Sequence, residues 1–217
     1  MRAGASSGAF ISFEGGDGAG KSTQIKRLAE ALRTAGHDVV TTREPGGSPG
    51  AEAIRKLLLE GSADKWTPIT EALLMYAARA DHLERTIAPA LQRGSVVITD
   101  RFADSTMAYQ GLAGALGKET VAALHKIVVR DREPDLTIIL DLPVEEGLKR
   151  AGAVGGAEQR FESKGAAYHE KVRQAFLEIA QREPQRCAIV SAEGDSETVA
   201  ARVRDVVQKR LPSLFKA

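Results

Sequence analysis

The chain has a single cysteine, Cys187. One thiol cannot build an internal disulfide framework, and the usage suits a reducing compartment, read here as the cytoplasm. There is almost no excess charge: 30 Lys and Arg stand against 29 Asp and Glu, a formal net charge of +1. No global field draws the chain to a nucleic acid polymer or a membrane, so any anion site must be local. Long apolar runs are missing too. Nothing approaches the roughly 18 to 20 residues that a membrane helix needs. The opening MRAGASSGAF lacks the continuous apolar stretch of a secretory signal, and residues 1–8 are expected to form a disordered tail. There is no internal repeat.

What is present is an ordinary globular composition, 43% hydrophobic and 27% charged over 217 residues. Short apolar runs rich in β-branched residues recur at Phe10–Phe13, Val39–Thr42, Ser95–Thr99, Leu136–Leu140 and Ala188–Val190. They do not alternate with polar residues, the pattern of strands covered on both faces in a parallel sheet. Helical periodicity fills the intervals, at Ser22–Ala35, Glu71–Leu91 (with Pro89 bending its end), Val121–Val129, Val144–Ala151, Ala166–Arg182 and Glu197–Leu211. The alternation predicts a doubly wound α/β fold, a five-stranded parallel sheet flanked by helices. Residues 9–217 are expected to form one domain. The glycine- and alanine-rich stretch AGAVGGAEQ predicts a short lid, about 150–162, or a flexible connector.

The first strand runs into GGDGAGKST, comprising Gly15, Gly16, Asp17, Gly18, Ala19, Gly20, Lys21, Ser22 and Thr23. Gly15, Gly20, Lys21 and Ser22 satisfy G-x-x-x-x-G-K-[ST], with a strand before and an amphipathic helix after. Glycines let backbone N–H groups converge, and the helix N-terminus adds partial positive charge. Lys21 supplies a point charge for outer phosphates, and Ser22 a hydroxyl for Mg²⁺. The loop predicts ATP or GTP binding on a P-loop NTPase-type fold. A GTPase would need guanine-reading and switch motifs, and neither Asn-Lys-x-Asp nor a separate Asp-x-x-Gly occurs. Motor ATPases usually carry paired acids after a later strand, whereas here Asp100 is followed by Arg101. That pair suits Mg²⁺ coordination beside a second phosphate-bearing substrate. Arg43, Arg55 and Arg101 lie near predicted strand ends and helix starts, where an open parallel sheet collects ligands. Arg79 sits among alanines on a helix expected to be buried.

FEGGDGAGKST, TREPGG, the Arg55 helix, MYAAR, DRFADSTMAYQ and PDLTIILDLPVEEGLKR occur in that order. In these segments the chain resembles the thymidylate kinases, from Phe10 nearly to its end. The resemblance implies transfer of the γ-phosphoryl of ATP to dTMP, in dTTP biosynthesis, by a homodimer with Mg²⁺. It implies that Asp17 accepts a hydrogen bond from the acceptor's 3′-hydroxyl, and that Arg43 and Arg101 hold the acceptor phosphate and developing charge. Arg55 becomes a further acceptor-site candidate and Arg79 a base contact. Thr106 and Gln110 would meet the pyrimidine edge, and Tyr109 would pack on the sugar and disfavour a 2′-hydroxyl. Ser22 and Asp100 are the metal candidates.

Two positions depart from the family pattern. An aromatic ring usually stacks on thymine from four residues before the helical arginine. Here that residue is Met75, and the ring belongs to its neighbour Tyr76. One helical step is about 100°, so the two cannot face the base equally, and position favours Met75. Members without a basic residue in the phosphate loop carry lid arginines, and the candidates here are Arg150 and Arg160. Another nucleoside monophosphate kinase, with a different acceptor base, remains an alternative reading. A nucleotide-binding switch without chemistry is disfavoured by the intact Lys21, Ser22, Asp100 and Arg101. A nucleoside kinase would need an acid as base for a neutral hydroxyl, whereas the acceptor side here is rich in arginine.

Overall fold

The computed structural model describes residues 8–62, 64–154 and 165–215. Five strands form one parallel sheet: β1 (Phe10–Gly15), β2 (Val39–Arg43), β3 (Val96–Asp100), β4 (Leu136–Asp141) and β5 (Cys187–Ser191). Their order is β2-β3-β1-β4-β5. The chain steps outward to β2, returns through β3 beside β1, and then proceeds to the other side. The order therefore reverses at β1, where an open α/β sheet opens its ligand crevice. Every residue of β1 is buried, because helices cover both faces. Ile11, Phe13, Ile138 and Leu140 pack against Ile25, Leu28 and Leu32 of α1 (Lys21–Thr34) and against Val199, Val203 and Val207 of the Ser196–Arg210 helix. Phe10, Val97 and Phe102 pack with Tyr76, Leu83 and Ile87.

The expected strands all form, each within a residue or two of its expected bounds. The long helix does not start at Glu71. Thr67 accepts from the Thr70 N–H and caps α3 (Pro68–His82), with Pro68 at its first position, where a missing N–H costs nothing. The helix then widens into a π-turn over Leu83–Ile87 before the Ala88–Gln92 turn. Pro89 has no N–H to give to the preceding turn, so the bend comes ahead of it. A second π-turn, Met107–Leu112, carries Tyr109 and Gln110. The helix after β4 runs to Val154, so residues 150–154, expected to open the lid, are helical. The remainder of the expected lid, Arg160 included, lies outside the described residues. Of the expected tail, only Gly8 is described, and it is docked: its N–H donates to Leu91 O at 3.1 Å, and a Cβ there would lie 1.9 Å from Ser95 O. The tail reading is corrected at that residue, since close backbone contact holds it in place.

Candidate active site

The site is built at the carboxyl ends of β1 and β3. Gly15 ends β1 at φ +126°, and a Cβ there would lie 2.4 Å from Leu140 O. At Gly18, φ +72°, a Cβ would come within 1.9 Å of Gly147 O. The neighbouring strand and helix close so tightly over the loop that side chains are excluded at both positions. Lys21 opens α1, and its ammonium folds back on the loop, donating to the carbonyls of Gly15 (3.2 Å) and Gly16 (2.9 Å). Beside it, Ser22 Oγ donates to Asp100 Oδ2 at 2.9 Å. Hydroxyl and carboxylate oxygens are the hard donors that Mg²⁺ prefers.

Register carries β3 to the same place. Asp100 lies opposite Phe13, and the Arg101 N–H donates to Phe13 O at 2.9 Å. Arg101 has φ +68°, a left-handed conformation uncommon for a residue with a Cβ. Such geometry costs on the order of 1 kcal/mol or more and clusters at functional sites. It turns the guanidinium back over β1. Nη1 donates to Gly15 O and Ser105 Oγ, both at 3.1 Å, and Nη2 donates to Asp17 Oδ1 at 2.7 Å. The same guanidinium lies 5.1 Å from the Tyr109 ring centroid. Burial pushes the Asp17 carboxyl up, but Arg101, then Lys21 and His169, outweigh it and hold the carboxyl below its ordinary range. Asp17 Oδ2 is buried without a hydrogen bond, 4.0 Å from His169 Nδ1.

A cleft opens between these groups and α3. Asp17, Met75, Arg79, Arg101, Thr106, Tyr109 and Gln110 all line it. Arg79 is fully buried, with Nε on Glu44 Oε2 at 2.7 Å and Nη2 on Phe102 O and Thr106 Oγ1, each at 3.0 Å. Its Nη1 is buried and has no hydrogen-bond partner. Burial works against this charge, yet Glu44 and Tyr76 more than restore it, and the guanidinium's pKa rises. Gln110 Nε2 donates to Glu71 Oε1 at 2.9 Å, which fixes the amide orientation because a carboxylate only accepts. The cleft is thus lined by an apolar group at Met75, by the Arg79 and Arg101 guanidiniums, and by the Thr106 hydroxyl and the oriented Gln110 amide. It suits a flat polar ring joined to an anion.

Other expected residues stand apart from it. Tyr76 does not reach the cleft. Its ring is buried with Phe10 and Val97, and its hydroxyl donates to Val121 O at 3.3 Å. The helical step separating it from Met75 turns it into the core, where it supports Arg79 from 4.8 Å. Arg43 is exposed and paired with Glu52 at 3.0 Å, in an open groove along α1 that also includes Ser22 and Asp100. Arg55 donates to Pro45 O at 2.7 Å, behind the cleft wall. Arg150 lies on a helix, ion-paired with Glu146 and donating to Ala192 O at 3.3 Å.

Several participants were not expected from the sequence. Glu14, wholly buried, accepts from the Phe102 N–H (2.7 Å) and from Ser105 Oγ (2.6 Å), tying the turn after β3 to β1. Burial, reinforced by the nearby Asp104, pushes its carboxyl up to about 8. Glu44, Glu71, His82 and His169 also stand at the site's edge. The available signal was polar residues beside recognised motifs: Glu14 directly before the glycine loop, Glu44 inside TREPGG, and His82 three residues after Arg79.

The family model described as Thymidylate kinase matches residues 13–203. A curated thymidylate kinase of Caulobacter vibrioides is 62% identical over 204 residues, 94% of this chain and 98% of the relative. One from Ruegeria pomeroyi is 53% identical over 94% of this chain and 96% of its own length. Among solved structures, thymidylate kinase from Ehrlichia chaffeensis aligns with a TM-score of 0.76 at 32% identity, covering 93% of this chain and 100% of that one. With its phosphate loop, its Asp100–Arg101 pair and its base-sized cleft in that register, the chain belongs to the thymidylate kinase family.

Proposed function

We propose that this protein phosphorylates dTMP to dTDP with ATP and Mg²⁺, in the supply of dTTP. The observation that carries the reading is the shared loop. Lys21 and Ser22 face the donor side, while Asp17 of the same loop faces the acceptor cleft and is held by Arg101.

The two substrates are anions that repel each other, and phosphoryl transfer is governed by positioning and charge neutralisation. An oxygen of the acceptor phosphate attacks the γ-phosphorus as the bond to the ADP oxygen breaks. That nucleophile has a second pKa of about 6, so it is ionised at neutral pH without a protein base. Lys21 neutralises the outer donor phosphates, and Arg101 presents a planar fork to the oxygens between the two nucleotides. Ser22 and Asp100 would hold Mg²⁺, which when bound supplies further neutralisation of the donor phosphates. Asp17 is read as the acceptor of the sugar 3′-hydroxyl, and Tyr109 as the wall against the sugar. On the base, Met75 supplies the apolar face, Arg79 Nη1 a donor, and the Gln110 and Thr106 side chains the polar edge. Arg43 and Arg55 would reach the acceptor phosphate only by leaving Glu52 and Pro45. Arg150, on the helix after β4, would reach ATP only by leaving Glu146; Arg160 is kept as the other candidate partner of ATP.

We also propose a homodimer. Leu57, Ile69, Leu73 and Ile127 are large, apolar and exposed on the adjoining α2 (Pro49–Leu59), α3 and Lys118–Val128 helices. A second copy presenting the same face would cover them. No helix among the described residues is long and apolar enough to cross a membrane, and we read the enzyme as cytoplasmic. Turnover of dTMP, dUMP, dCMP, AMP and GMP, measured side by side with Mg-ATP, tests the proposal. Preferred use of dTMP supports it; preferred use of AMP or GMP overturns it.

A further inference from the structure

The Arg79 guanidinium is nearly saturated by protein groups. Nε is taken by Glu44, and Nη2 by Phe102 O and Thr106 Oγ1. Only Nη1 is left, buried and without a partner. Leaving such a donor unmade is costly unless a ligand completes it. Which donor remains free depends on the rotation of the fork in its plane, and the fork is held at Nε by one carboxylate.

That carboxylate is itself held. Glu44 Oε1 lies 3.0 Å from His82 Nδ1, and His82 Nε2 lies 2.7 Å from Thr42 Oγ1. Arg79 and His82 are three residues apart on α3 and so share a face, meeting the two oxygens of one Glu44. His82 is fully buried and Glu44 nearly so. Because the carboxylate only accepts, Nδ1 carries the proton of that bond, and Nε2 is hydrogen-bonded with the Thr42 hydroxyl, a group able to serve as donor or acceptor. The backbone at Gly47 closes over this junction. A Cβ there would come within 2.4 Å of both His82 Nε2 and Thr42 Oγ1. Thr42, Glu44 and Gly47, all within or flanking the TREPGG stretch, thus build one end of a relay that terminates at Arg79.

We propose that Thr42, His82 and Glu44 are positioning residues for base selection: they fix the Arg79 fork so that Nη1 alone points a donor at the acceptor base. Resting on the dTMP kinase reading, this assigns the relay a specificity role. Thymine and uracil carry a carbonyl oxygen at position 4, which accepts from Nη1; cytosine carries an amino group there, which donates and is rejected. A fork free to rotate loses that distinction, because it can withdraw its donor and leave a Glu44 carboxylate oxygen to face the base and accept from the amine.

The test compares wild type with His82→Ala, His82→Asn and Thr42→Val, measuring kcat and KM for dTMP and dCMP at saturating Mg-ATP, together with KM for ATP. His82→Ala is expected to raise KM for dTMP about tenfold, the effect of losing one charge-assisted hydrogen bond. The dTMP-to-dCMP ratio of kcat/KM should fall by a similar factor, with kcat for dTMP and KM for ATP little changed. The Asn amide can occupy the position of Nδ1, so His82→Asn recovers most of the ratio. Thr42→Val keeps the imidazole and loses about threefold. If His82→Ala is slow or unstable but its ratio is that of wild type, the role is structural only and the proposal is overturned. If His82→Ala does not fold, an unchanged ratio in Thr42→Val overturns it equally. A wild-type enzyme that ignores dTMP would instead defeat the functional reading, and the inference with it.

Discussion

Arg101 Nη2 donates to Asp17 Oδ1 over 2.7 Å, joining the end of β3 to the acid of the phosphate loop. The left-handed backbone at Arg101 makes the bond possible, since an extended residue there would continue away from β1. The pair couples the two halves of the cleft. The glycine-rich loop cannot shift at Asp17 without moving the Arg101 guanidinium.

Replacing Asp17 with Asn keeps the shape and removes the charge. Arg101 loses an ionic partner, and a hydrogen bond to a charged group contributes about 1.5–3 kcal/mol. We expect kcat/KM for dTMP to fall roughly 10- to 100-fold, with KM for ATP changed far less. Steady-state kinetics with each substrate varied in turn checks this.

Arg101→Lys preserves charge but not the fork. A lysine cannot bridge Gly15 O, Ser105 and Asp17 at once, and it cannot meet phosphate oxygens bidentately. The expected loss in kcat is about 100-fold or more, in the range seen when one preorganised donor is removed. Circular dichroism should show an unchanged fold.

Glu14 sets a pH dependence of stability. Its folded carboxyl is raised, first by burial and then by Asp104, to about 8 from an ordinary 4.5. A raised acid binds its proton more tightly in the folded state. Its contribution is therefore fully present below pH 4.5 and is lost as pH rises toward 8. Glu14→Gln can still accept from the Phe102 N–H and donate to Ser105, without an ionising group. Urea denaturation at several pH values should show a smaller decline between pH 5 and 8 for Glu14→Gln than for wild type. Parallel declines would exclude Glu14 as the source.

Leu73 stands half exposed at 50%, and Ile127 is exposed at 66%, on the face assigned to the dimer. Leu73→Glu places a charge where two copies would desolvate it. Sedimentation should show a wild-type dimer and a monomeric variant at micromolar concentration. A monomeric wild type would remove the dimer from the account.

The strands were readable because buried parallel strands leave mainly apolar runs, and Phe10–Phe13 and Leu136–Leu140 are such runs, broken only by Ser12 and Thr137, whose hydroxyls bond to each other. The loop was readable because its motif residues Gly15 and Gly20, at φ +126° and +86°, hold a backbone that strains any side chain, directly before Lys21 and Ser22. Composition does not reveal which polar residues are buried. Glu14 looks like the polar end of a strand, and Glu44 like part of a turn. Their burial depends on β1, β3 and α3 meeting across long sequence separations. Choosing between Met75 and Tyr76 required the rotational phase of α3, which is set by its packing against Phe10 and Val97. Motif spacing placed Arg43 and Arg55 near the phosphates; their partners Glu52 and Pro45 lie within ten residues and satisfy them locally.

The central claim is that one cationic crevice seats two repelling nucleotides so that a phosphoryl group passes directly between them. Single-turnover transfer from γ-labelled ATP, with Mg²⁺ and excess dTMP, tests it in wild type and Lys21→Ala. Label is expected in dTDP, with little in free phosphate, and transfer slowed about 100-fold or more in Lys21→Ala. Label released mainly as phosphate, or transfer undiminished in Lys21→Ala, would contradict it.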